Sequence, residues 1–107
     1  MSNKQRVSVL GGGSFGTVLA NLAASNGSNV ALWVRDSEQA LRINSEGANS
    51  IYHPELKLSD NIMASEDLYE VVKNSDLIFI ATPSKIFEKI IIRISKIVKR
   101  DCYVISC

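Results

Sequence analysis

The feature that most constrains the fold of this chain is a glycine-rich segment between an apolar run and a helical pattern. The segment, Gly11 to Gly16, reads GGGSFG and follows the strand-like run Val7–Leu10. Apolar residues at helical spacing come next: Val18, Leu19, Leu22 and Ala23. The order strand, tight turn, helix is the setting in which a G-x-G-x-x-G motif binds the pyrophosphate of a dinucleotide at a helix N-terminus.

Each glycine of the motif has a separate expected role. Gly11 permits the turn, Gly13 lets pyrophosphate approach the backbone, and Gly16 allows the helix to pack closely on the strand. We therefore expect valine at Gly13 or Gly16 to abolish cofactor binding and to leave the fold intact. The alternative is a glycine turn without a ligand. Ser14, in the first helical turn, is either a phosphate contact or a plain N-cap.

The other predicted strands are short apolar runs. They cover Asn29–Val34, Ile62–Ala64, Asp76–Ala81 and Cys102–Cys107. The run at Asp76–Ala81 is nearly continuous, which is typical of a parallel sheet covered on both faces, and the last run is also predicted to be buried.

Helices are predicted between these strands. One stops at Asn26-Gly27, one runs from the cap Asp36 to about Gly47 with Gln39 as its capping-box partner, one is capped by Ser65, and one begins at Pro83-Ser84. Most of the stretch from 48 to 61 is expected to be loop. The alternation predicts an α/β fold, a Rossmann-type parallel sheet with helices on both faces. Trp33 and the apolar stripe of the last helix are expected in the core.

Arg35 and Asp36 follow the second predicted strand, where the side chain near the ribose 2′ position separates NAD from NADP. An arginine can pair with a 2′-phosphate, whereas an aspartate can accept a hydrogen bond from a free 2′-hydroxyl. Because Arg35 comes first, we favour NADP with NAD tolerated. The alternatives are a solvated arginine and a helix-capping aspartate.

The segment Ala81-Thr82-Pro83-Ser84 follows another strand at the carboxyl edge of the sheet, where ligands of open α/β sheets bind. Pro83 is accordingly a cofactor-binding candidate, and the alternative is that it only starts the next helix. His53 stands alone in a loop and is interpreted as a surface residue.

Composition excludes several classes of protein. Twelve basic and eleven acidic residues leave a net charge of +1, which gives no footprint for nucleic acid. No signal peptide or membrane-spanning segment is apparent, so we expect a cytoplasmic protein. Cys102 and Cys107 are predicted to be reduced, buried thiols without a metal.

With these residues in place, the sequence resembles the N-terminal part of the bacterial NAD(P)-dependent glycerol-3-phosphate dehydrogenases. The whole chain is covered by the resemblance, which depends on the order and spacing of several pieces. They are Gly11 to Thr17, Leu19-Ala20, Asn26-Gly27, Leu32-Trp33, Arg35-Asp36, Tyr52, Asp60-Asn61 and Ala81 to Ser84.

The resemblance implies cofactor contacts from Ser14, Phe15, Arg35 and Tyr52. It also implies reduction of dihydroxyacetone phosphate to sn-glycerol 3-phosphate for phospholipid synthesis, in an enzyme that is a homodimer when complete. In that family the catalytic lysine belongs to a helical C-terminal domain, so no catalytic residue is assigned here. Because the chain stops inside its last predicted strand, we expect residues 1–107 to be an incomplete dinucleotide-binding domain, inactive alone.

Three other interpretations stay open from the residues themselves. The first is another two-domain dehydrogenase, acting on a hydroxy acid or a sugar nucleotide. The second is a Rossmann module that senses a nucleotide and catalyses nothing. The third is a methyltransferase, although those usually have an acidic residue where Arg35 stands.

Overall fold

A computed structural model describes residues 5–49, 55–82 and 84–107 of the chain. The strands of the described part are β1 Arg6–Leu10, β2 Asn29–Trp33, β3 Ile62–Ser65, β4 Leu77–Ile80 and β5 Tyr103–Ser106. The helices are α1 Ser14–Ser25, α2 Ser37–Glu46, α3 Leu68–Val72 and α4 Ser84–Ser95. The strands form one parallel sheet in the order β3-β2-β1-β4-β5. The predicted α/β Rossmann-type fold is confirmed.

The two faces of the sheet carry separate cores because successive strand side chains point to opposite faces. Val7 and Val9 of β1 face α1 and α2, in a cluster with residues such as Ala20 and Ile43. Leu10 of β1 lies in a second cluster with residues of α3 and α4. Helices therefore cover both faces, as predicted. Trp33 and the α4 residues Ile90 and Ile94 are buried in the second cluster, which confirms their expected place in the core.

The ends of α1 and α2 follow local backbone chemistry. Asn26 caps α1, and Gly27 follows it with φ +95°, a left-handed conformation that glycine adopts without a Cβ clash. Asp36 caps α2 as predicted, with its Oδ1 accepting a hydrogen bond from the Glu38 N–H at 3.0 Å. The predicted capping-box role of Gln39 is wrong, because its side chain reaches the Gly12 carbonyl instead.

Helix α3 begins later than predicted. Its N-cap is Asp67, whose Oδ1 accepts from the Glu70 N–H at 3.3 Å. Ser65 is instead the last residue of β3, where its carbonyl accepts a hydrogen bond from the Val34 N–H at 3.1 Å. Ser65 Oγ then accepts from the Asp67 N–H at 3.0 Å. Pairing with strand β2 holds Ser65 extended, so the N-cap of α3 lies two residues later, at Asp67.

Strand β5 is not buried as predicted. All four of its residues are exposed, and Tyr103 is 75% exposed. It is an edge strand that pairs with β4 on one side, and the described elements leave its faces largely open. The two flanking thiols are free, as expected, but Cys102 is only half-buried and Cys107 is exposed. The prediction of buried thiols is therefore wrong.

Candidate functional site

A groove of about 850 Å³ lies at the carboxyl ends of β1, β2 and β4. Strand order reverses direction beside β1, which is where open α/β sheets form their ligand crevice. The lining residues are Gly11, Gly12, Gly13, Ser14, Phe15, Gly16, Trp33, Arg35, Asp36, Gln39, Ala81, Thr82, Ile86 and Cys107. Six of the predicted cofactor-binding residues thus meet in one place. Tyr52 and Pro83, and also His53, lie outside the described residues.

The three motif glycines differ sharply in what surrounds them. Gly11 has φ +127°, and a Cβ there would lie 2.7 Å from the Ala81 carbonyl oxygen. A Cβ on Gly16 would overlap the Gly11 carbonyl oxygen. Both glycines are therefore required for the fold, as their assigned turn and packing roles predict. The expectation that valine at Gly16 leaves the fold intact is wrong for the same reason.

Gly13 is the exception among these glycines. A Cβ built on it would meet nothing within 4 Å, and its φ of −78° and ψ of −170° are open to any residue. It is the N-cap of α1, a position without a side-chain cap, so Ser14 is not the N-cap that the sequence left open. A backbone that turns its bare edge to a groove at a helix N-terminus fits the approach of an anionic group.

Phe15, Arg35 and Asp36 form the outer part of the groove. Phe15 is 61% exposed although it is large and apolar, and Arg35 and Asp36 are exposed as well. Arg35 is the only cationic side chain among the described residues that line the groove. Asp36 already uses one carboxylate oxygen to cap α2. The arrangement offers a cation and an aromatic surface to a bound ligand.

Thr82 lies at the inner end of the groove, directly after β4. Its Oγ1 is buried and has no hydrogen-bond partner among the described residues. Buried hydroxyls are normally satisfied, so an orphan here fits a site completed by a ligand. The sequence pointed to the segment Ala81–Ser84 but did not single out this threonine.

Asn49 is the residue that sequence reasoning missed. Its side chain is 1% exposed and donates to the Gly12 carbonyl at 2.7 Å and to Thr17 Oγ1 at 2.8 Å. Gly47, left-handed with φ +69°, turns the chain after α2 and carries Asn49 back under the glycine segment. The signal available in the sequence was an asparagine two residues after a helix-ending glycine, which also fits an ordinary loop.

The groups with shifted pKa values lie away from the glycine segment. Asp76, at the start of β4, accepts hydrogen bonds from Lys99 Nζ and from the Arg6 N–H, and these lower the pKa of its carboxyl. Burial raises the pKa of the Cys102 thiol. The described lining of the groove contains no histidine or lysine that would donate a proton to a substrate.

No helix within the described ranges has the length and apolar character needed to cross a membrane. The same ranges hold no group of three or more potential metal ligands.

Comparison with known proteins places these features in one family. Residues 6–107 match the family model described as the NAD-dependent glycerol-3-phosphate dehydrogenase N-terminus. The glycerol-3-phosphate dehydrogenase (NAD(P)+) of Alcanivorax borkumensis is 40% identical over 97% of this chain. The protein of the same name from Acinetobacter baylyi is 46% identical over 84% of it. The chain spans 30% and 25% of these two relatives, respectively.

Solved structures agree with the sequence comparison. The glycerol-3-phosphate dehydrogenase of Saccharomyces cerevisiae superposes with a TM-score of 0.90 at 29% identity, over 98% of this chain and 33% of that one. The Coxiella burnetii enzyme gives a TM-score of 0.89 at 29% identity, over 96% and 32%. The glycine turn, the strand order and the family match point the same way, and the chain belongs to the NAD-dependent glycerol-3-phosphate dehydrogenase N-terminal family.

Proposed function

We propose that this chain binds the dinucleotide in the groove, with the pyrophosphate on Gly13 and on the N-terminus of α1. The observation that carries the proposal is the contrast between glycines. Substituents at Gly11 and Gly16 would strike the protein's own backbone, whereas a Cβ at Gly13, which lines the groove, would meet nothing within 4 Å. The fold itself does not need a glycine at position 13. A glycine there is what the close approach of a ligand to the backbone requires.

Gly11, Gly16, Ser14 and Phe15 complete the inner wall of this site. NAD or NADP is the cofactor that family membership implies. Thr82 Oγ1 supplies a hydroxyl to the part of the ligand that reaches β4. When bound, a nicotinamide coenzyme supplies hydride transfer. The described residues bind and orient it, and they leave the proton donor to other parts of the protein.

Arg35 is proposed to recognise the adenosine end of the cofactor. It is exposed at the groove directly after β2, where the ribose 2′ position lies in this fold. Asp36 is partly occupied as the N-cap of α2, which leaves it less suited to accept from a 2′-hydroxyl. The balance favours NADPH with NADH tolerated. Tyr52 and Pro83 remain proposed cofactor contacts from the sequence.

The reaction is proposed from the relatives. They are named glycerol-3-phosphate dehydrogenases, and this chain spans about a third or less of each. We propose that it is the cofactor-binding part of a longer, homodimeric cytoplasmic enzyme. That enzyme would reduce dihydroxyacetone phosphate to sn-glycerol 3-phosphate for phospholipid synthesis. The catalytic and substrate-phosphate residues would then lie in a C-terminal domain.

Two measurements test the proposal separately. Titration of the 107-residue chain with NADPH and NADH should show saturable binding, tighter for NADPH. The gene product that carries this chain should oxidise NADPH with dihydroxyacetone phosphate and not with a 2-oxo acid. Saturable binding without turnover of either substrate would favour a nucleotide-sensing module. Absence of binding would remove the cofactor assignment itself.

A further inference from the structure

Behind the glycine segment lies a cluster of polar side chains, one of which, Gln39, also lines the groove. We call it the amide cluster and define it as Gln39, Asn49 and Thr17. Asn49 and Thr17 are fully buried, and Gln39 is half-buried on the first turn of α2. The cluster joins α1 to α2 and to the loop that follows α2.

The hydrogen bonds of the amide cluster converge on two backbone carbonyls. The Gly12 oxygen accepts from Asn49 Nδ2 at 2.7 Å and from Gln39 Nε2 at 3.0 Å. The Gly13 oxygen accepts from Thr17 Oγ1 at 2.7 Å and from the Thr17 N–H at 3.0 Å. Asn49 Nδ2 also donates to Thr17 Oγ1, and Asn49 Oδ1 accepts from Gln39 Nε2 at 3.3 Å.

The chemistry of the partners fixes these orientations. A carbonyl oxygen only accepts hydrogen bonds. Asn49 and Gln39 must therefore turn their amide nitrogens, and not their amide oxygens, toward the Gly12 carbonyl. The Thr17 hydroxyl gives its single proton to Gly13 and accepts from Asn49 with a lone pair. Every member of the cluster is therefore used in one consistent arrangement, and a satisfied buried polar network of this kind rigidifies what it holds.

Peptide planarity carries this rigidity to the other side of the segment. In a trans peptide the N–H points opposite to the preceding C=O, and the described chain has no cis peptide bond. A Gly12 carbonyl held toward Asn49 and Gln39 therefore aims the Gly13 N–H away from the cluster, toward the groove. We propose that Gln39, Asn49 and Thr17 are positioning residues that aim the glycine-segment amides at the cofactor pyrophosphate. The proposal rests on the proposed function.

The cluster is suited to this role because the glycine segment has little to hold it. Gly13 has no side chain to pack, and α1 has no side-chain cap. Gly12 sits so close to α2 that a Cβ on it would lie 2.9 Å from Gln39 Nε2. An apolar residue at position 49 would fill the space but would leave the Gly12 carbonyl with one donor fewer and the peptide plane freer to rotate.

The test compares variants of the cluster with a matched asparagine elsewhere on α2. Asn44 also makes two side-chain hydrogen bonds, both to the backbone of Ala64 at 2.8 Å, and it does not line the groove. Asn49→Leu and Asn44→Leu are prepared in the gene product that carries this chain, together with Gln39→Met, which keeps most packing. The ligands are NADPH, inorganic pyrophosphate and adenosine 2′-monophosphate, which lacks a pyrophosphate.

We expect Asn49→Leu to weaken NADPH and pyrophosphate by about tenfold, and Gln39→Met by about threefold, since each removes donors to Gly12. Adenosine 2′-monophosphate should change less than twofold in both. Asn44→Leu should lower the stability and leave the ratio of these affinities unchanged. A uniform loss for all three ligands, or an equal ratio change in Asn44→Leu, would reduce the cluster to a structural role and overturn the proposal.

Two further measurements keep the outcome unambiguous. Thr17→Ser retains the hydroxyl and should restore the pyrophosphate affinity that the isosteric Thr17→Val loses. In the free protein, the ¹⁵N–¹H resonance of Gly13 should move in Asn49→Leu and Gln39→Met and stay in place in Asn44→Leu. If Asn49→Leu does not fold, the Thr17 pair decides the question, because Thr17 does not line the groove whereas Gln39 does. A parent protein, without substitutions, that binds no NADPH would refute the proposed function. Intact NADPH binding in the cluster variants would refute only the positioning role of Gln39, Asn49 and Thr17.

Discussion

Valine at Gly13 should weaken cofactor binding and leave the stability nearly unchanged, whereas valine at Gly16 should lower the stability. The two glycines stand three residues apart in one segment, and the motif assigns pyrophosphate approach to Gly13 and helix packing to Gly16. In the structure, a Cβ on Gly13 meets nothing within 4 Å, whereas one on Gly16 overlaps the Gly11 carbonyl oxygen. The pair therefore separates the demands of the ligand from the demands of the fold.

The size of each effect follows from the surroundings. Gly13 has an extended backbone, so valine is sterically allowed there. The entropy lost by the unfolded chain offsets the poorer N-cap, and the unfolding free energy should change by less than about 1 kcal/mol. At Gly16 the backbone of β1 and α1 must separate, which costs about 1–3 kcal/mol or more, as overpacking does.

Valine at Gly13 should weaken cofactor binding strongly, although it changes the stability little. A blocked pyrophosphate loses hydrogen bonds between a charged group and backbone N–H groups, each worth about 1.5–3 kcal/mol, or roughly 10- to 150-fold in affinity. Urea unfolding followed by circular dichroism gives the stability, and calorimetric titration with NADPH gives the affinity. A folded Gly13→Val chain with unchanged NADPH affinity would show that the segment is only a turn. A Gly16→Val chain as stable as the parent would refute the packing argument.

Three further predictions concern charges and thiols. Arg35→Ala should weaken NADPH by about 1.5–3 kcal/mol more than NADH, because only NADPH offers a 2′-phosphate; equal losses in paired titrations would assign Arg35 to stacking. The Lys99 hydrogen bond lowers the pKa of Asp76, so its stabilisation is present above about pH 4 and is lost as pH falls through the lowered folded value. Asp76→Asn should therefore flatten the acid limb of the stability curve measured from pH 6 to pH 2, and an unchanged limb would contradict this. Cys107 is exposed in the groove, whereas burial raises the pKa of Cys102. Iodoacetamide at pH 8 should therefore modify Cys107 first, and NADPH should slow that reaction. Mass mapping that finds Cys102 modified first would contradict the assignment.

Periodicity and glycine chemistry sufficed to predict the sheet and the turn, because both are local. The run Val7–Leu10 and the glycines after it specify strand and turn within ten residues. Asn49 escaped prediction because its partner, the Gly12 carbonyl, lies 37 residues earlier and leaves no periodic trace. Contacts between a side chain and a distant backbone group depend on tertiary placement, which a pattern within one sequence does not encode.

The errors in the sequence interpretation share a different cause. Gln39 and Ser65 both stand at positions where a helix-start rule applies, yet each is engaged by a neighbouring element. The Gly12 carbonyl draws the side chain of Gln39, and pairing with β2 keeps Ser65 in a strand. Strand β5 has the apolar composition of a buried strand, but within the described residues it pairs only with β4 and its side chains are exposed. Composition reports what a segment can bury, and not which described residues cover it.

Within the glycine segment, the requirements of folding and of ligand binding fall on different atoms of adjacent residues. Gly11 and Gly16 lack a Cβ because the protein's own backbone occupies that space. Gly12 is held through its carbonyl by hydrogen bonds from Asn49 and Gln39. Gly13 alone has free space at its Cα. A glycine motif alone therefore does not establish binding, since two of its three positions would be glycine in a ligand-free turn of the same shape. Our proposal of a binding turn therefore rests on the open position at Gly13 and on the side chains that restrain the neighbouring carbonyls.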